Sequence, residues 1–281
     1  MKVRNGAIVR KYYHCYATAN ESRLYFYDIQ NLMRIKNCHS GLPKIVLFIA
    51  ISEVKKIGFF DQFFVKTVKK IFDGHPSIEL REIYFKSNIG RDFSSFQTLF
   101  HKVKETANAD DYILFQNRSG YGPFHENWYR QFVKQFEKFE SIALCGSTIN
   151  FLDHPKRSSR LDIPHVQTFS FLTKVNFMDM LGEAFPASTK TERMDIVLQG
   201  EIEMSQFFLR NNYQITCIEW PDKAISNQTI PIVSFDIKKK VTAKHYFYHR
   251  LYFRRNKLKK LGQIIPGIIN WMNFMKHGFL K

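Results

Sequence analysis

The chain has 281 residues, of which 44% are hydrophobic, and a formal net charge of +17. This length can bury a full core, and this hydrophobic content excludes a largely disordered protein. The four cysteines lie far apart, without a CxxC spacing or clustered histidines, which argues against a disulfide framework and a zinc site and favours a reducing compartment; they are Cys15, Cys38, Cys145 and Cys217.

The first residues of the chain are basic but are not followed by an apolar stretch, so we expect no signal peptide. The longest purely apolar run extends from Ile45 to Ile51 and is too short to cross a bilayer. We therefore expect a cytoplasmic protein without a transmembrane helix.

Strand and helix patterns alternate along the first half of the chain. In chain order the patterns predict strand 12–17, helix 28–36, strand 44–52, helix 61–72, strand 82–86, helix 93–104, strand 112–115, helix 128–139 and strand 142–145. Single helices between strands imply right-handed crossovers and a largely parallel sheet. The sequence therefore predicts an α/β fold with a mixed, mostly parallel sheet flanked by helices. Ligands of such sheets bind at the carboxyl ends of the strands.

A polar turn follows the strand at 82–86. It contains Asn88, Gly90, Arg91 and Asp92 at the start of the next helix. Backbone amides and an arginine at such a turn suit a diphosphate, and the aspartate suits a sugar or ribose hydroxyl. The alternative is a turn whose aspartate only caps the helix.

A second polar turn follows the strand at 112–115. The strand passes directly into Asn117, Arg118 and Ser119, and Tyr121 follows after one glycine. A purely structural loop needs fewer hydrogen-bonding side chains in succession, so this turn is a candidate ligand site.

Two carboxylates, Glu201 and Glu203, precede the apolar helical pattern of residues 204–209, which leads into a strand at 215–218. We expect Glu201 at the start of this helix, where the helix dipole favours an ionised carboxylate. An ionised carboxylate can take a proton from an acceptor hydroxyl. The alternative is an acid that only stabilises the first helical turn.

Four segments in this order, 88–92, 114–123, 164–169 and 201–206, resemble the ordered motifs of the rhamnan synthesis protein F-like glycosyltransferases, which are bacterial surface-polysaccharide enzymes. The resemblance covers roughly residues 12 to 225. It implies a GT-A-like, Rossmann-type fold, a nucleotide-sugar donor at the carboxyl edge of the sheet, and a glycan or lipid-linked glycan acceptor beside it.

The motifs and the resemblance together predict the following roles. Glu201 is the expected catalytic base. The expected donor-binding residues are Asn88, Gly90, Arg91, Asp92, Asn117, Arg118 and Ser119. The expected acceptor-binding residues are His165, Gln167, Glu203 and Tyr121. For His165 a structural role is the alternative.

One departure from typical GT-A enzymes concerns metal binding. Those enzymes place a DxD motif after the strand that corresponds to 112–115, where its carboxylates hold a divalent metal on the donor diphosphate. This chain has Asn117, Arg118 and Ser119 there. Hard cations prefer anionic oxygens, so we expect no metal or other cofactor. Arg91 and Arg118 are the expected counter-charges of the diphosphate.

The positive charge is concentrated in residues 238–281, which contain twelve Lys and Arg and no Asp or Glu. Aromatic and aliphatic residues are interspersed, which favours binding to an anionic membrane surface. A basic helix packed on the main domain and a nucleic-acid arm are the alternatives. We predict a catalytic domain over 1–237 and a basic amphipathic helical tail over 238–281, and we expect no nucleic-acid partner.

These observations predict a glycosyltransferase that is peripheral on the inner face of the membrane. It would transfer a hexosyl or deoxyhexosyl group from a nucleoside-diphosphate sugar to a lipopolysaccharide or capsule acceptor, with inversion or with retention. The alternative from another class is a non-catalytic subunit that binds a glycan or a nucleotide sugar.

Overall fold

The computed structural model describes residues 10–21, 25–152, 162–229, 245–251 and 253. Twelve strands are described there: β1 (Tyr12–Ala19), β2 (Ile45–Glu53), β3 (Ile78–Ser87), β4 (Tyr112–Asn117), β5 (Gly120–Tyr121), β6 (Ile142–Gly146), β7 (Ile149–Asn150), β8 (His165–Val166), β9 (Ser170–Lys174), β10 (Gln214–Cys217), β11 (Ala224–Ile225) and β12 (Tyr248–His249).

The helices of the described part flank the strands. They are α1 (Phe26–Asn37), α2 (Phe59–Phe72), α3 (Arg91–Lys104), α4 (Trp128–Glu137), α5 (Val175–Asp179), α6 (Arg193–Ile196) and α7 (Glu203–Arg210). A π-helical segment, Val197–Ile202, joins α6 to α7 without a break.

Eight strands form one sheet in the order β11-β10-β6-β9-β4-β1-β2-β3. The pairs β1–β2, β2–β3, β1–β4 and β6–β10 are parallel. Strand β9 is antiparallel to both β4 and β6, and β11 is antiparallel to β10. The predicted fold class, a mixed and mostly parallel sheet flanked by helices, is confirmed.

The central strands are buried because helices cover the sheet. Strand β4 is buried at every position, and β2 is buried at all but two positions. Such strands are continuous apolar runs rather than alternating ones, which is why their positions were predictable. Helix α3 packs on β1 and β2, and α4 packs on β6.

Strand β9 was not predicted. It is a five-residue segment that begins with a serine and contains Thr173, so its apolar pattern is short. Its position between β4 and β6 comes from tertiary pairing rather than from local sequence.

The described part of the predicted tail packs on the body. Strand β12 pairs with β5, and Phe247 is fully buried with ring contacts to Trp128 and Phe132. Arg250 donates hydrogen bonds to the carbonyl of Tyr27 and to the side chains of Gln30 and Asn31 in α1. Residues 245–251 thus complete the body. The tail predicted to be helical over 238–281 thus contains a strand, β12, in its described part. The boundary predicted at 237 and the tail residues after 253 lie outside the described residues.

Within the described ranges, we find no helix with the length and apolar character that a membrane crossing requires.

We predict that Phe247→Ala lowers the free energy of unfolding by ~3–5 kcal/mol, because it leaves a cavity between Trp128 and Phe132. Leu251→Ala is the matched control, since Leu251 is 56% exposed, and it should change stability by less than about 0.5 kcal/mol. Urea unfolding of the full chain measures both. Equal values for the two variants would show that residues 245–251 do not belong to the body.

Candidate functional site

A small cleft lies at the edge where the carboxyl ends of the parallel strands meet. Its volume is about 190 Å³, and its walls come from the turns after β3 and β4, the segment before β9, helix α6 with the π-helical segment, and strand β12. The lining residues are Arg91, Asp92, Phe93, Asn117, Ser119, Gln167, Thr168, Phe169, Arg193, Ile196, Val197, Glu201 and His249. We call it the edge cleft. Six residues predicted for the site, Arg91, Asp92, Asn117, Ser119, Gln167 and Glu201, line it together.

The turn after β3 supplies Arg91 and Asp92. Gly90 has φ of 72°, and an added Cβ would overlap the carbonyl oxygen of Ser188, so only glycine fits. Its amide donates to the carbonyl of Lys190 at 2.8 Å. Arg91 also has a positive φ, 44°, a conformation that non-glycine residues adopt at a cost and that concentrates at functional sites.

Asn117 connects the two polar turns. Its amide nitrogen donates to Asp92 Oδ2 at 2.8 Å. Its side-chain oxygen accepts from the backbone amides of Ser119 at 2.9 Å and Gly120 at 3.3 Å. Asn117 therefore shapes its own turn and fixes the Asp92 carboxyl at the same time. Desolvation by burial raises the pKa of Asp92.

The helix that carries Glu201 begins eight residues earlier than predicted. Because α6, the π-helical segment and α7 are continuous from Arg193 to Arg210, Glu201 lies in the middle of a helix and not at its N-terminus. The expected stabilisation of its ionised form by a helix dipole is therefore wrong. Gly200, just before Glu201, is buried, and an added Cβ would overlap the ring of Phe93.

Burial, rather than a dipole, sets the charge state of Glu201. Its side chain is 22% exposed, and desolvation raises its pKa to about 7. The hydroxyl of Thr168 donates to Oε2 at 3.1 Å, which opposes this rise, and the negative charge of Asp92 adds to it. A carboxyl with a pKa near neutrality is suited to proton transfer.

His165 lies behind Glu201, with its Nε2 at 3.8 Å from Oε1, and is almost fully buried. The distance from Nδ1 to the carbonyl oxygen of Ile163 is 2.9 Å. Since a carbonyl only accepts, Nδ1 of His165 donates this hydrogen bond. His165 therefore contacts the predicted base and not the open part of the edge cleft.

Arg118 is not among the residues that line the edge cleft. Its guanidinium forms a 3.0 Å ion pair with buried Asp28 and donates to Thr18 and to the carbonyl of Ala19. A further group, Glu21, lies at 3.5 Å. The structure thus gives Arg118 a structural partner in place of the diphosphate that the motif suggested.

Four other predicted residues also lie outside the lining of the edge cleft. Asn88 and Gly90 support the turn through backbone hydrogen bonds. The Tyr121 hydroxyl accepts from Arg34 at 3.1 Å, and its ring contacts Phe124. Glu203 pairs with Arg210 on the protein surface, where both side chains are about half exposed.

Three polar residues of the edge cleft were not predicted: Thr168, Arg193 and His249. Thr168 lies inside the segment 164–169, and its position next to Gln167 was a usable signal. Arg193 and His249 enter the cleft from distant parts of the chain. Burial and the charge of Arg193 lower the pKa of His249. No local pattern marks either residue, because only the tertiary fold brings them there.

A larger cleft of about 410 Å³ adjoins the edge cleft and shares Gln167, Phe169 and His249 with it. Glu219 and His245 lie on its wall, 3.8 Å apart. Burial raises the pKa of Glu219 to about 7 and lowers the pKa of His245. The two clefts adjoin at these three residues, with Asp92 and Glu201 on the wall of the edge cleft and Glu219 on the wall of the larger cleft.

The residues of the edge cleft do not fit a divalent metal of the DxD type. Asp92 is the only carboxylate of the two polar turns, and one of its oxygens already accepts from Asn117. Across the described ranges, no group of three or more His, Cys, Asp and Glu side chains is placed to hold a metal ion. A hard cation needs more anionic oxygens than this arrangement offers.

No protein-family model and no curated protein matches the chain. Similar solved structures include the mannosyltransferase PcManGT from Pyrobaculum calidifontis in complex with GDP-Man and Mn²⁺, with 9% identity, a TM-score of 0.48, and 75% of this chain and 55% of that chain covered. The chain thus spans about half the length of that mannosyltransferase.

Two further structures are similar at the same level. Mouse xyloside xylosyltransferase 1 has 8% identity and a TM-score of 0.46, with 86% of this chain and 97% of that chain covered. A 4-diphosphocytidyl-2C-methyl-D-erythritol synthase has 11% identity and a TM-score of 0.41, with 81% and 98% covered. These similarities are too distant to assign an activity, and the rhamnan synthesis protein F-like family stays a prediction.

We predict that Glu201→Gln stabilises the protein at pH 8 but not at pH 4.5. Native Glu201 keeps its proton up to about pH 7, whereas the unfolded chain releases it near the ordinary value of 4.5. The native state therefore binds more protons between these values, and wild-type stability falls as the pH rises, by up to about 3 kcal/mol. Because glutamine does not ionise, the stability of the Glu201→Gln variant does not fall with pH in this way.

Urea unfolding at pH 4.5 and pH 8 measures the effect. Glu203→Gln is the matched control, since it removes a carboxylate from the half-exposed surface pair with Arg210, and it should retain the wild-type difference between the two pH values. If Glu201→Gln also retained that difference, the carboxyl of Glu201 would not be desolvated.

Proposed function

We propose that the chain is a glycosyltransferase that moves a hexosyl or deoxyhexosyl group from a nucleoside-diphosphate sugar to a bacterial surface glycan, either lipopolysaccharide or capsule. The observation that carries this proposal is the carboxyl of Glu201, which is desolvated and shares the edge cleft with Asp92 and two arginines. The order of the sequence motifs adds the class of substrate.

The proposed reaction is a displacement at the anomeric carbon. The Glu201 carboxylate takes the proton of the acceptor hydroxyl, the acceptor oxygen bonds to the anomeric carbon, and the bond to the diphosphate breaks with its electron pair on the diphosphate. Arg91 and Arg193, on the walls of the edge cleft, stabilise the departing charge. Arg193 takes the place that Arg118 held in the sequence-based expectation.

If configuration is retained, Glu201 has a different role: it stabilises the oxocarbenium-like state electrostatically instead of accepting a proton. Asp92, held by Asn117, accepts a hydrogen bond from a sugar or ribose hydroxyl in both versions. Gln167 lies in the wall shared by the two clefts, so it is placed to contact donor and acceptor sugars together.

The acceptor occupies the larger cleft in this proposal. An extended polar trough suits a glycan or lipid-linked glycan, which has many hydroxyls and little apolar surface. A cytoplasmic enzyme, peripheral on the inner face of the membrane through its basic C-terminal residues, would reach such an acceptor there.

The second candidate function is a non-catalytic subunit that binds a glycan or nucleotide sugar within an assembly complex. The observation that favours it is the single carboxylate of the two polar turns. A panel of nucleotide sugars, scored for thermal stabilisation and for hydrolysis of the donor, separates the two candidates. Stabilisation without any hydrolysis or transfer supports the subunit. No stabilisation by any donor contradicts both the transferase and a subunit that binds a nucleotide sugar.

We predict that Glu201→Gln lowers turnover by ~10²-fold or more while donor binding is kept, since glutamine has a similar shape but cannot accept the proton. For inversion, wild-type turnover should also fall below about pH 7, because protonated Glu201 is inactive. Rates with saturating donor and acceptor, measured from pH 5.5 to 8.5, test both statements.

Glu203→Gln is the control for this experiment and should retain more than half of the wild-type turnover, because Glu203 pairs with Arg210 outside the edge cleft. Near wild-type turnover of Glu201→Gln would remove Glu201 from the mechanism. A larger loss in Glu203→Gln than in Glu201→Gln would identify the other acid as the base.

We also predict that the activity survives EDTA with at most a twofold loss, because the polar turns supply too few anionic oxygens for a hard cation. Initial rates with and without the chelator measure this. Complete loss on chelation, followed by recovery with Mn²⁺ or Mg²⁺, would contradict the prediction and indicate a metal site.

A further inference from the structure

An aromatic surface patch lies at the start of α2. Among the described residues, four phenylalanine side chains are strongly exposed, and all four fall in this region: Phe26, Phe59, Phe60 and Phe63, with exposed fractions of 61%, 77%, 43% and 60%. Elsewhere in the same ranges large apolar side chains are exposed singly, which is normal for a protein surface. We call these four residues the phenylalanine patch.

The patch is a built surface with its own groove. Phe59 contacts both Phe60 and Phe63 through its ring. A groove of about 380 Å³ opens between α1 and α2, and apart from one threonine its lining is aromatic or aliphatic. Two contacts of Tyr25 fix the floor of the groove. The Tyr25 ring stacks on Phe64 with the ring centroids 3.9 Å apart, and the Tyr25 hydroxyl donates to Asp61 at 2.6 Å.

The exposed charges in residues 54–72 are all positive. Lys55 and Lys56 are exposed directly before α2, and Lys66, Lys69 and Lys70 are exposed along the helix. The one acid in residues 54–72, Asp61, is buried and accepts from the amide of Gly58 at 2.6 Å. Exposed phenylalanines surrounded by lysines are complementary to a surface that is negative outside and apolar beneath.

The patch also faces the edge of the sheet where the edge cleft lies. Strand β2 runs parallel to β1, β3 and β4, and α2 begins a few residues after β2 ends. The amino end of α2 is therefore at the carboxyl edge of the sheet, as are the turns that carry Asp92 and Asn117.

We propose that the phenylalanine patch docks on an anionic lipid bilayer, with the rings of Phe59 and Phe63 inserted among the lipids and with Lys55 and Lys56 against the headgroups. Aromatic rings partition into the interfacial region, and nearby lysines are attracted to negative lipids. This surface is separate from the basic residues after 253 and does not depend on the proposed activity. It brings the carboxyl edge of the sheet to the membrane.

The test places an environment-sensitive NBD label on the full chain. Phe59→Cys is labelled in a background in which Cys38 is replaced by serine, since the other three cysteines are buried. Met180→Cys, at a second exposed apolar position, is the matched control. The vesicles contain phosphatidylcholine alone or with about 30% phosphatidylglycerol, which makes their surface anionic.

With anionic vesicles, the label at 59 should shift to the blue and gain at least twofold in intensity, while the label at 180 should not change. Phe59→Ser with Phe63→Ser should weaken vesicle binding at least tenfold, which corresponds to about 1.4 kcal/mol, without lowering the melting temperature. Binding should also weaken with salt, because headgroup attraction is screened.

Three results would overturn the proposal. The first is an unchanged fluorescence of the label at 59 while the protein still sediments with vesicles, which would show that other residues bind the vesicles. The second is an equal response at 59 and 180, which would indicate non-specific adsorption. The third is no binding of the intact chain to anionic vesicles, which would favour a protein partner as the occupant of the patch. A failure of sugar transfer has no bearing on these readouts.

Discussion

The buried ion pair between Asp28 and Arg118 is the interaction on which the arrangement at the sheet edge depends. Asp28 is fully buried and accepts from the hydroxyls of Tyr16 and Thr18 as well as from Arg118. It thereby joins β1, α1 and the turn after β4. Loss of one partner from such a buried pair leaves an uncompensated charge, which costs ~3–5 kcal/mol, so the position of this turn is strongly specified.

The same network extends to the end of the described chain. The side-chain amide of Asn31 donates to the hydroxyl of Tyr16 and to the carbonyl of Arg118, while its oxygen accepts from Arg250. Arg250 directly follows β12, which brings His249 to the edge cleft. His249, from the basic C-terminal region, therefore completes the walls of the site.

The parts of the fold that were predictable are those in which local sequence and tertiary environment agree. The runs 45–51 of β2 and 112–115 of β4 are apolar and almost entirely buried, so their composition alone identifies them. Gly200 shows the opposite case. It packs against Phe93 inside a continuous helix, and a glycine that allows close packing has the same sequence signature as one that allows a turn.

The candidate site also has a predictable and an unpredictable part. Asp92 and Asn117 were predictable, because polar residues after parallel strands meet at one edge. The sequence analysis assigned Arg118 to a diphosphate. Its actual partner, Asp28, is ninety positions away in the sequence, so no local pattern reveals the ion pair. Arg193 and His249 had no local signal, since only the fold brings them to the edge cleft. Sequence thus identified Glu201 and the polar residues after β3 and β4, and it missed Arg193 and His249.

In the proposed reaction, the charges of the edge cleft would couple substrate binding to proton transfer. The negative charge of Asp92 raises the pKa of Glu201, while the charges of Arg118, Arg91 and Lys86 lower the pKa of Asp92. A diphosphate placed beside the arginines would withdraw part of this compensation and hold the proton on Glu201 more firmly. As the diphosphate leaves with its charge in the proposed reaction, the hydroxyl of the acceptor needs a base within the edge cleft. A desolvated carboxyl of near-neutral pKa can serve there, because modest changes in the surrounding charge move it between its two protonation states.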